Sequence, residues 1–125
     1  MELRNNGWIP GSAIYPCETD GDKSGKIFVW HAYQGVMLVG WDEYGCNPFH
    51  VYWMRVSDGT GTWIDASVRA PRKQDSDALN CVLARNVHGE ILVTGYHQFL
   101  WNSDLTHWQR LPDAPGDYKA LRQMQ

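Results

Sequence analysis

His50-Val51-Tyr52-Trp53-Met54-Arg55-Val56 alternates along its length, with Val51, Trp53 and Arg55 on one face and Tyr52, Met54 and Val56 on the other. β-Branched and aromatic side chains fill it, as half-buried pleated surfaces favour, so it is read as a strand with two apolar faces. The chain repeats this stretch 55 residues later as Leu105-Thr106-His107-Trp108-Gln109-Arg110-Leu111. The match extends outward without a gap. Trp8-Ile9 falls on Trp63-Ile64, Ser12 on Ser67, Pro16 on Pro71, Asp20 and Asp22 on Asp75 and Asp77, Gly40 on Gly95, and Asn47 on Asn102. Between residues 8–56 and 63–111 there are 10 identities in 49 aligned pairs. Apolar periodicity alone does not bring Trp, Pro and Gly into register at one constant offset, so the chain is read as an internal duplication.

Each copy carries the same plan. A short extended piece (Trp8-Ile9-Pro10 or Trp63-Ile64-Asp65) leads into a proline-marked polar loop at Pro16 or Pro71. Strands are then expected over Lys26 to Ala32 and Cys81 to Val87, over Val36 to Asp42 and Ile91 to His97, and over His50 to Val56 and Leu105 to Leu111. His88-Gly89 fits a two-residue hairpin turn, where glycine supplies positive φ, and Tyr33-Gln34-Gly35 is a looser version. No segment has a sustained helical period; one helical turn fits Tyr118–Arg122 in the tail. A three-stranded meander of about 50 residues buries too little apolar surface to stand alone. The expectation is an all-β single domain, 1–125, of two tandem three-stranded antiparallel repeats (8–57 and 62–115) followed by a tail, 116–125. The repeats would pack with pseudo-twofold symmetry as a small sandwich or barrel.

Composition narrows the function. The chain has 125 residues, 43% hydrophobic, with seven Trp and a net charge of −3. Direct nucleic-acid binding is disfavoured, because phosphate neutralisation needs clustered Lys and Arg in excess. No apolar run approaches the roughly 20 residues that span a bilayer, and residues 1–6 show no apolar signal segment, so a cytoplasmic protein is expected. Cys17, Cys46 and Cys81 are odd in number and widely spaced, and are read as free thiols, with Cys81 as a small core residue. His31, His50, His88, His97 and His107 form no zinc-ligand spacing, and no metal or cofactor is expected. Asp20-Gly21-Asp22-Lys23-Ser24-Gly25 copies the opening of a calcium loop, but the twelfth position holds His31 where a bidentate Glu belongs; an acidic surface turn is the simpler reading. No nucleophile elbow, phosphate loop or dinucleotide fingerprint is present, so no catalytic residue is assigned and an enzyme is not expected.

The second copy opens Trp63-Ile64-Asp65-Ala66-Ser67, continues through Arg69-Ala70-Pro71, and closes Thr106-His107-Trp108-Gln109-Arg110-Leu111-Pro112-Asp113-Ala114-Pro115. Over residues 62–115 it resembles a small family, domain of unknown function 551, whose members share this opening and a T-H-W closing motif. Gln109 and Arg110 depart from that motif, and the first copy keeps only Trp8, Ile9, Pro16 and Trp53 of it. The resemblance implies a phage or prophage accessory protein and assigns no catalytic residues.

Duplicated tryptophans (Trp8, Trp63, Trp53, Trp108) are read as core. Those that differ between copies are the better site candidates, since duplication frees one copy to specialise. Trp30, Trp41, Tyr44, Phe49 and Tyr52, with the acidic Asp20, Asp22, Asp42 and Glu43, are therefore assigned to a surface for a bacterial host protein. On the family resemblance, the function expected is that of a phage or mobile-element accessory protein that inhibits or modulates its target in anti-defence fashion, as an anti-CRISPR does. The alternative is a sponge for a small nucleotide-like ligand, with Arg69, Arg72, Lys73 and Arg85 holding phosphate and Trp101 stacking on the base. A self-assembling structural component is the third reading, and either a monomer or a homodimer fits.

Overall fold

The two copies form two four-stranded antiparallel sheets of the same strand order. The computed structural model describes residues 7–115, so the turn expected at Tyr118–Arg122 and the tail 116–125 lie outside the described residues. The first sheet holds β1 (Ile9–Pro10), β2 (Lys26–His31), β3 (Gly35–Gly40) and β4 (His50–Arg55) in the order β1-β4-β2-β3. The second holds β5 (Ile64–Asp65), β6 (Cys81–Asn86), β7 (Ile91–Gly95) and β8 (Leu105–Gln109) in the order β5-β8-β6-β7. The three-stranded expectation is thereby corrected. The short opening pieces are strands as well, with Ile9 opposite Trp53 and Ile64 opposite Trp108. Two residues are too few to show alternation, which is why pattern alone leaves them out. Neither sheet closes into a barrel, since each keeps two edge strands.

The duplication is legible down to single hydrogen bonds. The Trp53 indole N–H donates to the Ile14 carbonyl at 2.9 Å, and the Trp108 indole N–H to the Arg69 carbonyl at 2.7 Å. Asp22 accepts the amides of Ser24 and Lys26, as Asp77 accepts those of Leu79 and Cys81. These Asx turns start β2 and β6. The residue before each strand lies in the left-handed region, Gly25 at φ +77° and Asn80 at φ +66°. The calcium-like Asp20-x-Asp22 is thus one copy of a turn device, and Asp75-x-Asp77 is the other.

Each sheet packs a core of its own. In the first, Ile27, Val29, Tyr44 and Trp53 are buried together, flanked by Ile9, Met37, Val39 and Trp41. In the second, Ala84, Phe99, Leu105 and Trp108 form the cluster, flanked by Ile64, Ala66 and Leu92. The reverse faces, Phe28, Trp30 and Met54 in one and Leu83 in the other, are buried too, as the two apolar faces of β4 lead one to expect.

Two short helices replace strand ends. A 3-10 helix, Trp41–Cys46, follows β3, and α2 (Tyr96–Trp101) follows β7, where the sequence suggested continued strand to Asp42 and His97. Each opens on a glycine whose amide is taken by a side chain three residues on, Gly40 by Glu43 and Gly95 by Gln98. Each drops one aromatic, Tyr44 or Phe99, onto its core. A further turn of helix, α1 (Val56–Gly59), follows β4. The β6–β7 turn is wider than two residues. Its Gly89 has φ +83°, and the Asn86 side chain accepts the amides of His88 and Glu90.

The chain divides into two compact units, one running to Gly59 and resuming at Pro112, the other comprising Thr60–Leu111. Residues 112–115, read from the sequence as the end of the second repeat, group with the first unit. Asp113 supplies the carbonyl that accepts the Trp8 indole N–H at 2.7 Å, which ties the resumed segment to the first unit.

Candidate functional site: an aromatic groove and an arginine cluster

The first unit carries a run of six rings in successive contact. Tyr33 meets Phe49 at 5.1 Å between centroids, Phe49 meets His31 at 5.6 Å, His31 meets His50 at 5.7 Å, His50 meets Tyr44 at 5.8 Å, and Tyr44 meets Tyr15 at 5.3 Å. The outer members, Tyr33, Phe49 and Tyr15, are exposed, Tyr15 by 62%. The two inner histidines are fixed by bonds to the backbone. His31 Nδ1 accepts the amides of Tyr33 and Gln34, both at 3.1 Å, so its proton sits on Nε2. His50 Nδ1 lies 3.0 Å from the Tyr44 carbonyl, to which it donates. At one end of this run a cavity of about 370 Å³ opens between Pro10, Tyr15, Tyr44, Pro48, His50 and Tyr52. Tyr44 is 2% exposed, and its hydroxyl lies against Gly11 and donates to no acceptor among the described residues. Burial, with Tyr15 adding to it, pushes its pKa up to about 12, so it stays a neutral phenol. At the aligned positions the second unit has His88, Asp104, Asn86, Leu105, Phe99 and Ala70, and the ring run is absent from that sequence.

The structure redistributes the residues assigned to a partner surface. Phe49 is exposed and Tyr52 half-buried, and Tyr52 lines the groove with the edge of Tyr44. Trp30 is corrected: it is 5% exposed and packs edge-on to Trp8 at 6.4 Å, so it belongs to the interior. Trp41 is half-buried against the first core. Asp20 is buried, accepting the Cys17 amide at 2.8 Å and Arg55 at 2.8 Å. Asp22 is spent on its turn. Asp42 and Glu43 are exposed on the helix that carries Tyr44. Sequence reasoning missed Tyr15, Tyr33, His31 and His50. Three of them do not recur as rings in the second copy, where Ala70, Asn86 and Leu105 stand in place of Tyr15, His31 and His50, while His88 keeps a ring opposite Tyr33.

The ligand set assigned to the second unit also splits. Arg69 and Arg72 converge on Asp75, and Arg110 joins them, at 3.0, 3.9 and 3.7 Å. Lys73 begins the turn Lys73–Asp75 and is exposed. Arg85 stacks over Trp63 instead, 5.5 Å from its centroid, and Trp101 stands 87% exposed at the end of α2. Cys17 and Cys46 are exposed thiols, and Cys81 is half-buried rather than core. Among the described residues no group of three His, Cys, Asp or Glu is placed to hold a metal ion, and no helix is long and apolar enough to cross a membrane. No protein-family model, no curated protein and no solved structure matches the chain.

Proposed function

We propose that the protein is a non-catalytic binding protein that holds a host protein in the aromatic groove of its first unit and so inhibits or modulates it. The ring run from Tyr33 to Tyr15 carries this reading. Large, stiff aromatics at a surface give much contact area at little entropic cost, and such residues dominate binding hot spots. Asp42 and Glu43, exposed on the helix that carries Tyr44, suit a target with a basic rim, where complementary charge speeds encounter. The phage accessory context and action in the bacterial cytoplasm belong to the same proposal. They rest on the sequence, on the closing motif of residues 106–115.

Capture from a bacterial lysate, followed by mass spectrometry, tests this reading. The expected outcome is one stoichiometric protein, lost with Tyr15→Ala or Phe49→Ala. Both residues are exposed, so the fold tolerates the change, and each truncation is expected to weaken binding by about 1–4 kcal/mol. Asp42→Lys with Glu43→Lys is expected to slow association. Capture that both alanine variants leave unchanged would remove the groove from the reading, and capture of nothing would remove the host protein.

A further inference from the structure

Three guanidinium groups stand around one carboxylate in the second unit, and the first unit shows what that place looks like without them. Asp75 is 4% exposed. It accepts Arg69 Nη1 at 3.0 Å and the Arg72 amide at 2.9 Å, while Arg72 Nε and Arg110 Nη2 lie 3.9 and 3.7 Å away. The three arginine side chains remain 40%, 60% and 68% exposed. The aligned carboxylate, Asp20, accepts the Cys17 amide in the same way and keeps Arg55, the counterpart of Arg110. At the positions of Arg69, Arg72 and Lys73, however, the first unit has Ile14, Cys17 and Glu18. The turn therefore folds without the extra cations. They are an addition that its backbone does not need, and they change the local charge from one net negative to three net positive.

The cluster is also held in place. Arg69 lies over the Trp108 ring at 4.8 Å, and its carbonyl takes the Trp108 indole N–H. Arg110 Nη2 donates to the Gln74 carbonyl at 3.3 Å. Asp77, the nearest other acid in sequence, is turned to the amides of Leu79 and Cys81. One carboxylate accepts about four hydrogen bonds, and three guanidiniums carry about fifteen N–H groups, so most donors are left for solvent or a ligand. We propose that Arg69, Arg72 and Arg110, with Lys73 adding charge, form a binding site for a phosphate group. Asp75 acts as the buried post that orients them. A tetrahedral dianion matches planar forks arriving from several sides, which is the chemistry that favours arginine for phosphate. Arg85 and Trp101 take no part, and the ligand needs no base-stacking partner.

Titration of the protein with inorganic phosphate at constant ionic strength, followed through the arginine Nε–H signals by NMR, tests the site. Saturable shifts are expected at Arg69, Arg72 and Arg110, with Arg55 in the sister position unmoved. Arg72→Ser and Arg110→Gln are each expected to weaken binding about tenfold, the loss of one charge-assisted hydrogen bond. Cys17 at the aligned position shows that the turn forms without Arg72. The combined change Ile14→Arg, Cys17→Arg and Glu18→Lys is expected to create a second phosphate response at Arg55. Adenosine monophosphate binding more tightly than phosphate would identify a nucleotide as the ligand, and equal binding would identify the free ion; both support the site. A non-saturating response, one matched by chloride, or one unchanged in both loss variants would overturn the proposal.

Discussion

His31 and Asn86 hold the same place in the repeat and satisfy the same turn with different atoms. Asn86 offers its side-chain oxygen to the amides of His88 and Glu90, whereas His31 offers Nδ1 to those of Tyr33 and Gln34. The substitution makes the first turn sensitive to pH. Burial first, and the neighbouring His50 second, hold the His31 imidazole below its ordinary value of 6.5. The rings of Tyr33 and Phe49 also pack against it. The unfolded chain therefore takes up a proton below pH 6.5 that the folded chain refuses. Stability falls as pH drops through that value and levels off below the folded pKa. His31→Asn is expected to keep the turn and to remove this part of the pH dependence, measured as urea midpoints across the range. A variant with the wild-type slope would show that the proton goes elsewhere.

At the scale of elements, the turn Glu18–Asp20 lies far in sequence from the strand it braces. Burial alone would raise the Asp20 carboxyl, but the Cys17 amide and Arg55 outweigh it, and the pKa is lowered from 3.8. Asp75 behaves likewise: its burial is overcome by Arg69 and the Arg72 amide. Lowered carboxylates stabilise the fold above their unfolded pKa, and that contribution is lost as pH falls below about 3.8. Asp20→Asn is expected to cost about 1–3 kcal/mol at neutral pH and to flatten the acid limb of the stability curve, as read by denaturant unfolding. The pairing Asp20–Arg55 was legible as two identities at the common offset, although nothing in the sequence said that they touch. The helices Trp41–Cys46 and Tyr96–Trp101 were not legible. Six residues make at most two turns, and their apolar side chains extend the strand pattern before them. The groove was half legible for the same reason, because Tyr44 reaches it only from such a helix, while Pro10 and Tyr52 meet by strand pairing.

For the whole molecule, the repeat offset forecast two sheets of one topology, and every strand of the first has its counterpart in the second. What the offset could not reveal is how the chain closes. It leaves the first unit after Gly59, builds the second through Leu111, and returns to the first at Pro112. Among the described residues, the Asp113 carbonyl on the Trp8 indole and the buried ring of Pro115 help to anchor the return. Trp63, which aligns with Trp8, is only half-buried, because its indole face goes to Arg85 instead. The two units therefore depend unequally on residues beyond the repeat. A chain ending at Leu111 leaves the Trp8 N–H without its acceptor and removes the buried proline. It is expected to lose about 2–4 kcal/mol from the first unit, the sum of one unpaired buried donor and the lost apolar contact. The second unit, whose bonds Trp108 to Arg69 and Gly61 to Gln109 lie wholly within Thr60–Leu111, is expected to keep its protection. Hydrogen exchange resolved by residue separates the outcomes. Faster exchange confined to Trp8 and β4 supports this account, and equal acceleration in β8 would mean that the returning segment braces both units.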